Sequence, residues 1–303
     1  MEITTHPYLV HPFWRSDIPA LRRVRQCEAL RAADSSLQDE NLRQLALLDG
    51  LRYLDLSETN ITNPGLAHLR PHKGLEVLSL ARTRAGNEGL AHVSRLSSLR
   101  ELNLDHTGVS DLHLAAEDEA LCEASRNRIR AAWRHLGLGH LADLVYLRRL
   151  SLRGTGVHGP GLQYLAHASS LTHLDLRGTA LNAAGIRVLR QFHGLHNLDL
   201  ADTATSLWPD EHGIAGLRHL ESLDLSGSWL TDDELRRFAE WPGGTPLPNL
   251  VRLDLSRTRV TDHGLGYLAC FPRLRDLELT GARVTAKGLD EILARPGIRV
   301  VAR

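Results

Sequence analysis

The fold is decided by the stretch Leu51-Arg-Tyr-Leu54-Asp-Leu56-Ser-Glu-Thr59-Asn-Ile61-Thr62-Asn-Pro-Gly65-Leu66-Ala-His-Leu69, because its pattern returns along most of the 303-residue chain. Successive copies are spaced by 24, 24, 48, 24, 24, 25, 30 and 24 residues, and they begin at Leu75, Leu99, Leu147, Leu171, Leu195, Leu220, Leu250 and Leu274. A frayed copy opens at Cys27, and a truncated copy opens at Ile298. Such a period predicts small units that close their cores only by stacking on their neighbours.

Each unit combines a short strand with a helical segment. Side chains alternate along a strand, so Leu54 and Leu56 point to one face and Asp55 to the other. Leu66 and Leu69 follow at helical spacing, which predicts an outer element that also turns its leucines inward. Where the strand turns away, we expect a buried threonine hydroxyl to bond the backbone. These threonines are Thr59, Thr83, Thr107, Thr155, Thr179, Thr203 and Thr258.

The pattern resembles the leucine-rich repeat family, whose strand signature is LxxLxLxxN, with Thr here where that family usually has Asn or Cys. The tail Thr261-Asp262-His263-Gly264-Leu265 is most similar to the ribonuclease-inhibitor-like and F-box-associated (cysteine-containing-like) branch, in a shorter, bacterial-looking form. The resemblance covers residues 27 to 301. It implies an α/β fold: a curved, horseshoe-shaped solenoid with a parallel β-sheet on the concave side, helices on the convex side, and a role in protein recognition.

Composition excludes several classes of protein. The charges balance, with 36 Lys+Arg against 36 Asp+Glu, which argues against a globally basic nucleic-acid binder. No stretch approaches the roughly 18 apolar residues of a membrane span, and the first 20 residues lack the pattern of a signal peptide. Cys27, Cys122 and Cys270 are too widely spaced to suggest a disulfide framework or a CxxC metal site. We therefore expect a cytoplasmic protein that binds neither nucleic acid nor membrane.

Two segments interrupt or precede the repeats. Residues 1–26 are expected to form an N-terminal arm and cap, and residues 27–303 the solenoid. Within the 48-residue gap, Arg126 and Arg128 fall at positions that elsewhere hold inward leucines, so one strand should be missing there. Apolar residues at helical spacing predict a helical interruption at about 111–136 instead. It is either a decayed repeat packed on the convex side or a partner-binding feature.

A second irregular zone carries two tryptophans. Trp208 replaces the usual helical pattern of its unit, and Trp229 occupies a position filled elsewhere by exposed-type residues such as Asn60, Arg84 and Arg259. We expect both rings to lie near one another on the same rim. Exposed tryptophans are typical interface anchors, but a tryptophan also commonly fills the gap left by an irregular repeat.

The residue between the paired strand leucines should form one column on the exposed strand face. This column reads Asp55, Ser79, Asn103, Ser151, Asp175, Asp199, Asp224, Asp254 and Glu278. Neighbouring columns add Asp105, Arg149, Arg153 and Arg177. The pattern predicts an acidic strip interrupted by arginines at its centre, suited to a partner with basic groups, with the arginines accepting a carboxylate or phosphate. Alternatively, the aspartates are only solvent-exposed residues of a strand sequence that is common in this fold.

These residues favour a non-enzymatic module that binds a protein or peptide through the acidic strip and an aromatic rim. No GxSxG, P-loop or HExxH motif is present, and the 17 histidines scatter over the repeat, so no cofactor or metal is predicted. The alternatives are an adaptor that recruits a catalytic partner through the 111–136 helix, and an enzyme with an anion site near the central arginines. The candidate partner-binding residues are Asp55, Asp105, Arg149, Arg153, Asp175, Arg177, Asp199, Asp224, Asp254, Trp208 and Trp229. The sequence leaves the partner and the oligomeric state open.

Overall fold

The computed structural model describes residues 8–10, 27–48, 50–111, 137–166, 170–204, 206–208, 210 and 212–302. The chain divides into two compact units, Met1–Gly156 and Val157–Arg303. The helix predicted at about 111–136 lies, beyond Asp111, outside the described residues. Within the described ranges, no helix is both long enough and apolar enough to cross a membrane.

The first unit pairs its strands in parallel and in chain order. They are β1 (Tyr8–Val10), β2 (Ala29–Arg31), β3 (Tyr53–Asp55), β4 (Val77–Ser79), β5 (Glu101–Asn103) and β6 (Arg149–Ser151). Its helical segments are α1 (Asp39–Leu45), α2 (Asn87–Val93) and the 3-10 helices Gly65–Leu69 and Gly137–Asp143. Because β5 pairs directly with β6, the long gap places no strand between them, as predicted.

The second unit repeats this plan. Its parallel strands are β7 (His173–Asp175), β8 (Asn197–Asp199), β9 (Ser222–Asp224), β10 (Arg252–Asp254), β11 (Asp276–Glu278) and β12 (Arg299–Val301). Its helical segments are α3 (Ala183–Leu189), α4 (Asp232–Ala239), α5 (Asp262–Tyr267), α6 (Ala286–Leu293) and the 3-10 helices Pro160–Tyr164 and Leu268–Cys270. The described residues between β8 and β9 form no helix.

The repeat leucines form the core of each unit. The central strand leucines stand in register, Leu30 beside Leu54 and Leu78 in the first unit, and Leu174 beside Leu198 and Leu223 in the second. All of them are buried, as are the leucines at the second strand position, such as Leu56. The predicted alternation is therefore confirmed. The hydrophobic contribution of each such leucine is about 1.5–3 kcal/mol relative to an exposed side chain.

The threonine prediction is also confirmed. Each buried threonine hydroxyl donates to the backbone carbonyl three residues earlier, at 2.6 or 2.7 Å. Ser35 and Ser228, which stand at the threonine position in their repeats, make the same 2.6 Å bond to the carbonyls of Ala32 and Leu225. Most of these carbonyls also accept the backbone N–H of the same residue at 3.2–3.4 Å, so the side-chain bond satisfies the buried hydroxyl and holds the turn after each strand.

A second set of bonds explains the TDxGL tail. Asp262, the first residue of α5, accepts from the backbone N–H (2.7 Å) and the hydroxyl (2.5 Å) of Thr285, the residue that precedes α6 in the next repeat. A Cβ on Gly288 would lie 2.1 Å from that carboxylate. Asp232, Thr261 and Gly264 form the same arrangement one repeat earlier. The glycine is therefore required by the close approach of the preceding repeat's carboxylate.

Candidate functional site

The second unit aligns carboxylates on successive strands, and we call them the acidic row. The strand register places Asp175 beside Asp199, Asp199 beside Asp224, and so on through Asp254 to Glu278. The four aspartates are half-buried and Glu278 is exposed. Since neighbouring strands lie about 4.8 Å apart, each carboxylate stands close to the next. The row is the predicted strip, restricted here to one unit.

The corresponding positions of the first unit form a mixed row. They are Arg31, Asp55, Ser79, Asn103 and Ser151, again joined by the strand register. Only Asp55 in this row is a carboxylate among the described residues of the unit. The two units therefore present different charge at the same repeat position.

A backbone bond explains why oxygen-bearing side chains recur at this position. Oδ1 of Asp175, Asp199, Asp224 and Asp254 accepts the backbone N–H two residues later at 2.8–2.9 Å. Asp55 does the same at 3.0 Å. Asn103, a neutral amide, makes this bond at 2.8 Å. This interaction, which we call the strand-end bond, therefore needs a side-chain oxygen, and it does not need a negative charge.

Asp199 is a carboxyl of the acidic row with a raised pKa. Its pKa is raised to about 6, chiefly by burial and also by repulsion from Asp175 and Asp224. The N–H of Ala201 and the charge of Arg177 act in the opposite direction. Asp199 thus holds its proton up to a higher pH than an ordinary aspartate does.

Asp202 is a functional candidate that the sequence reasoning missed. It accepts from Arg177 Nε at 3.1 Å and from an Arg257 terminal nitrogen at 3.2 Å. The Arg257 contact passes over Gly227, where a Cβ would lie 2.1 Å from the Asp202 carboxylate. Partial burial acts to lower the pKa of Arg177, but the hydrogen bond to Asp202 and the nearby carboxylates outweigh it and raise that pKa. A glycine aligned between an aspartate and an arginine of flanking repeats is the sequence signal that could have revealed this pair.

The remaining predicted arginines belong to the first unit. Arg149 Nε lies 3.5 Å from Glu101 on the adjacent strand. Arg153 has an exposed side chain, and its backbone N–H donates to Asp105 at 3.0 Å. Asp105 also accepts from the Ser151 hydroxyl, so it supplies the strand-end bond that Ser151 lacks. Asp105, Ser151 and Arg153 therefore meet, as their columns predict.

The prediction that Trp208 is an exposed rim residue is wrong. Its side chain is 6% exposed and packs edge-on against Phe238 of α4, with ring centroids 4.9 Å apart. Phe238 in turn packs against Phe271 at 5.5 Å. The repeat of Trp208 has no described helix between β8 and β9, so the large ring supplies core volume where other repeats use helix leucines.

Trp229 is exposed, as predicted. Its exposed fraction is 62%, and the Arg259 guanidinium carbon lies 5.7 Å from the ring centroid. This distance is within the range of a cation–π contact. A role for Trp229 as a partner anchor stays a prediction.

The cysteines that the structure describes are poor nucleophiles. Burial raises the pKa of Cys27 above its usual range and the pKa of Cys270 to about 12, so both thiols stay protonated at neutral pH. Cys122 lies outside the described residues. Within the described part of the chain, no group of three or more His, Cys, Asp or Glu residues is arranged to hold a metal ion.

Comparisons with known proteins agree with the repeat pattern and the fold. Four segments, residues 51–69, 167–189, 216–234 and 247–269, match the family model described as "Leucine Rich repeat". The crystal structure of an internalin (inlF) from Listeria monocytogenes aligns with a TM-score of 0.60 and 15% identity, over 93% of this chain and 81% of the internalin. The mouse RP105/MD-1 complex aligns with a TM-score of 0.62 and 18% identity, over 92% of this chain and 43% of that chain. No curated protein matches the sequence.

Proposed function

Because this chain is built from leucine-rich repeats that fold as a solenoid, we propose that it is a non-enzymatic recognition module. It binds a protein or peptide partner through the acidic row and the exposed rim at Trp229. The partner presents basic groups to the row. Solenoids of stacked repeats generally use their extended surfaces to bind other proteins, which supports this class of function.

The charge of the acidic row is the observation that carries the proposal. The strand-end bond requires an oxygen only, since Asn103 makes it without charge. The acidic row nevertheless has a carboxylate at each of five successive positions, from Asp175 to Glu278. Neighbouring carboxylates about 4.8 Å apart repel by roughly 0.9 kcal/mol in a water-like dielectric. A cationic partner would replace this repulsion with attraction. Folding alone does not require the negative charges.

The structural neighbours are consistent with protein recognition. The mouse RP105 structure is a complex with MD-1. Its chain has the same fold over 92% of this protein, although the alignment spans only 43% of the RP105/MD-1 chain. A similar solenoid is therefore found bound to another protein, which supports the class of function without identifying a partner.

The geometry favours this proposal over an anion-binding enzyme. Two of the three central arginines already have carboxylate neighbours, since Arg149 lies against Glu101 and Arg177 bonds Asp202. Arg153 is exposed. The adaptor alternative depends on the 111–136 segment, and no described residue adds support to it.

The proposal is tested with a fluorescein-labelled lysine-rich peptide and the full chain, by fluorescence anisotropy. The double variant Asp199→Asn/Asp224→Asn removes two charges and retains the side-chain oxygens that cap the strands. We expect its affinity to fall by roughly thirtyfold or more, since each of the two lost close charge contacts costs about 1 kcal/mol or more.

Asp55→Asn is the matched control, because Asp55 occupies the same repeat position in the mixed row and caps its strand in the same way. Its affinity should stay within about twofold of the wild type. Equal affinity of the double variant and the wild type, or no binding of the lysine-rich peptide at all, would refute recognition through the acidic row.

A further inference from the structure

Three successive repeats of the second unit form an edge of one aromatic and two cationic residues, Trp229, Arg259 and Arg283, which we call the Trp–Arg edge. Each lies five residues after a member of the acidic row, Asp224, Asp254 and Glu278. Backbone bonds of 3.0 Å from Arg259 to Leu230 and from Arg283 to Val260 hold these turns side by side. The edge therefore runs along the same repeats as the acidic row.

The cations of this edge have no ionic partner among the described residues. Arg259 and Arg283 are exposed, and neither makes an ion pair with any described carboxylate. Other arginines of the same unit do make such pairs, as Arg257 does with Asp202 at 3.2 Å and Arg299 does with Asp276 at 2.5 Å. The two guanidiniums therefore remain available to an outside anion.

Small residues separate the acidic row from the Trp–Arg edge. Ser226, Gly227, Ser256, Thr280 and Gly281 occupy the strand ends between them. Arg257 also lies in this strip, and its guanidinium is held by Asp202. A partner backbone can approach closely along such a strip, with one charged row on each side of it.

We propose that the Trp–Arg edge binds an acidic segment of a protein partner. The exposed Trp229 ring supplies apolar contact area, and Arg259, which lies over that ring, can donate hydrogen bonds to a carboxylate. Arg283 provides a second carboxylate contact one repeat further along. The proposal rests on the recognition function above and adds that the partner carries acidic groups next to its basic ones.

The nearby acidic row argues for a peptide and against a nucleic acid. A phosphate backbone on the edge would bring its regularly spaced negative charges close to Asp224, Asp254 and Glu278. A peptide can instead place a few carboxylates at the edge and neutral or basic side chains over the row.

The edge is tested with a fluorescein-labelled peptide that alternates glutamate and leucine, again by anisotropy on the full chain. We expect the double variant Arg259→Glu/Arg283→Glu to abolish binding, and Arg259→Gln/Arg283→Gln to weaken it about tenfold or more. Trp229→Ala should also weaken it about tenfold, as expected for a central aromatic anchor.

Arg84→Glu is the matched control, since Arg84 is exposed and occupies the same repeat position in the first unit. This control should bind the glutamate peptide as the wild type does. The lysine-rich peptide distinguishes the two proposals. The edge proposal alone fails if the lysine-rich peptide binds through the acidic row and the glutamate peptide either does not bind or binds the arginine variants as tightly as the wild type. The acidic-row proposal alone fails if only the glutamate peptide shows its expected binding and its expected loss in the variants. Tighter binding of a single-stranded oligonucleotide than of the glutamate peptide, lost in the Arg259→Glu/Arg283→Glu variant, would overturn the peptide assignment.

Discussion

The mixed row of the first unit and the acidic row of the second occupy the same repeat position and form the same bond to the backbone. In the first unit Asp55, Asn103 and, for the strand of Ser151, the adjacent Asp105 supply the oxygen. In the second unit the oxygen comes from an aspartate on each of four successive strands, β7 to β10.

The difference in charge between the two rows separates the side-chain oxygen, which the fold needs, from the negative charge, which it does not need. At the end of seven strands a side-chain oxygen accepts a backbone N–H, and an amide, a carboxylate or an aspartate of a neighbouring column supplies that oxygen. Burial and, to a smaller extent, the neighbouring carboxylates raise the pKa of Asp199, and the repulsion between these carboxylates adds no backbone bond. Under the proposed function, the charge of the acidic row serves binding, whereas its oxygens serve folding.

The largest expected effect concerns the core that both units share. Leu78→Ala and Leu198→Ala remove central strand leucines that are buried in the first and the second unit respectively. Each should lower the free energy of unfolding by about 2–5 kcal/mol, because a cavity replaces a packed side chain. Urea denaturation followed by circular dichroism measures this. A large loss in one unit and none in the other would show that the two rows do not lie over equivalent cores.

A smaller effect separates the cap from the charge. Asp224→Ala removes both the strand-end oxygen and the charge, whereas Asp224→Asn removes the charge alone. The Ala variant should be less stable than the Asn variant by about 1 kcal/mol, the net value of one hydrogen bond. The pair Asp55→Ala and Asp55→Asn should show the same difference in the mixed row. Urea midpoints that do not distinguish Ala from Asn would show that the bond contributes nothing.

The smallest effect is a pH dependence specific to the acidic row. The pKa of Asp199 is about 6 in the folded protein, above its ordinary value. Between about pH 4 and 6 the unfolded chain loses this proton while the folded chain keeps it, so stability falls as pH rises and then levels off. Asp199→Asn should remove this slope and gain on the order of 1 kcal/mol at pH 7, because solvent screening of the half-buried carboxyl reduces the full value of the pKa difference. Asp55→Asn, in the mixed row, serves as the control, and a wild-type slope retained in Asp199→Asn would assign it to other groups.

Repetition made much of the fold and of the site predictable. The alternation around Leu54 and Leu56 gave the buried and exposed strand faces, because period two has only one solution once the leucines must be buried. The recurring threonine position gave the turn after each strand. The column of aspartates followed from the same alternation. The exposure of Trp229 followed from its repeat position, which exposed-type residues fill elsewhere.

Irregular repeats were harder to interpret because their neighbours provide no template. Trp208 was placed on the rim with Trp229, yet its ring packs against Phe238. The described residues of that repeat form no helix, and the volume left for the ring could not be read from the local sequence. Asp202 was missed for a related reason, since its contact with Arg257 crosses an intervening repeat at Gly227.

Three finer predictions stay predictions. They are the arm and cap at residues 1–26, in which Tyr8–Val10 pairs with Ala29–Arg31, the helix at about 111–136, and the ribonuclease-inhibitor-like branch of the family. The family match and the structural neighbours support leucine-rich repeats at a coarser level than that branch.

The sequence by itself determined which side chains are buried in the repeats and which line the exposed strand face, since burial of leucines at a regular period leaves one register. It also determined the acidic row, because residues at one repeat position must align when the units stack. Only the tertiary structure decided which charges are neutralised and which aromatic rings are covered. Those outcomes depend on distances between side chains of different repeats, as with Asp202 and Arg257 across Gly227, and on the volume that an irregular repeat leaves for Trp208.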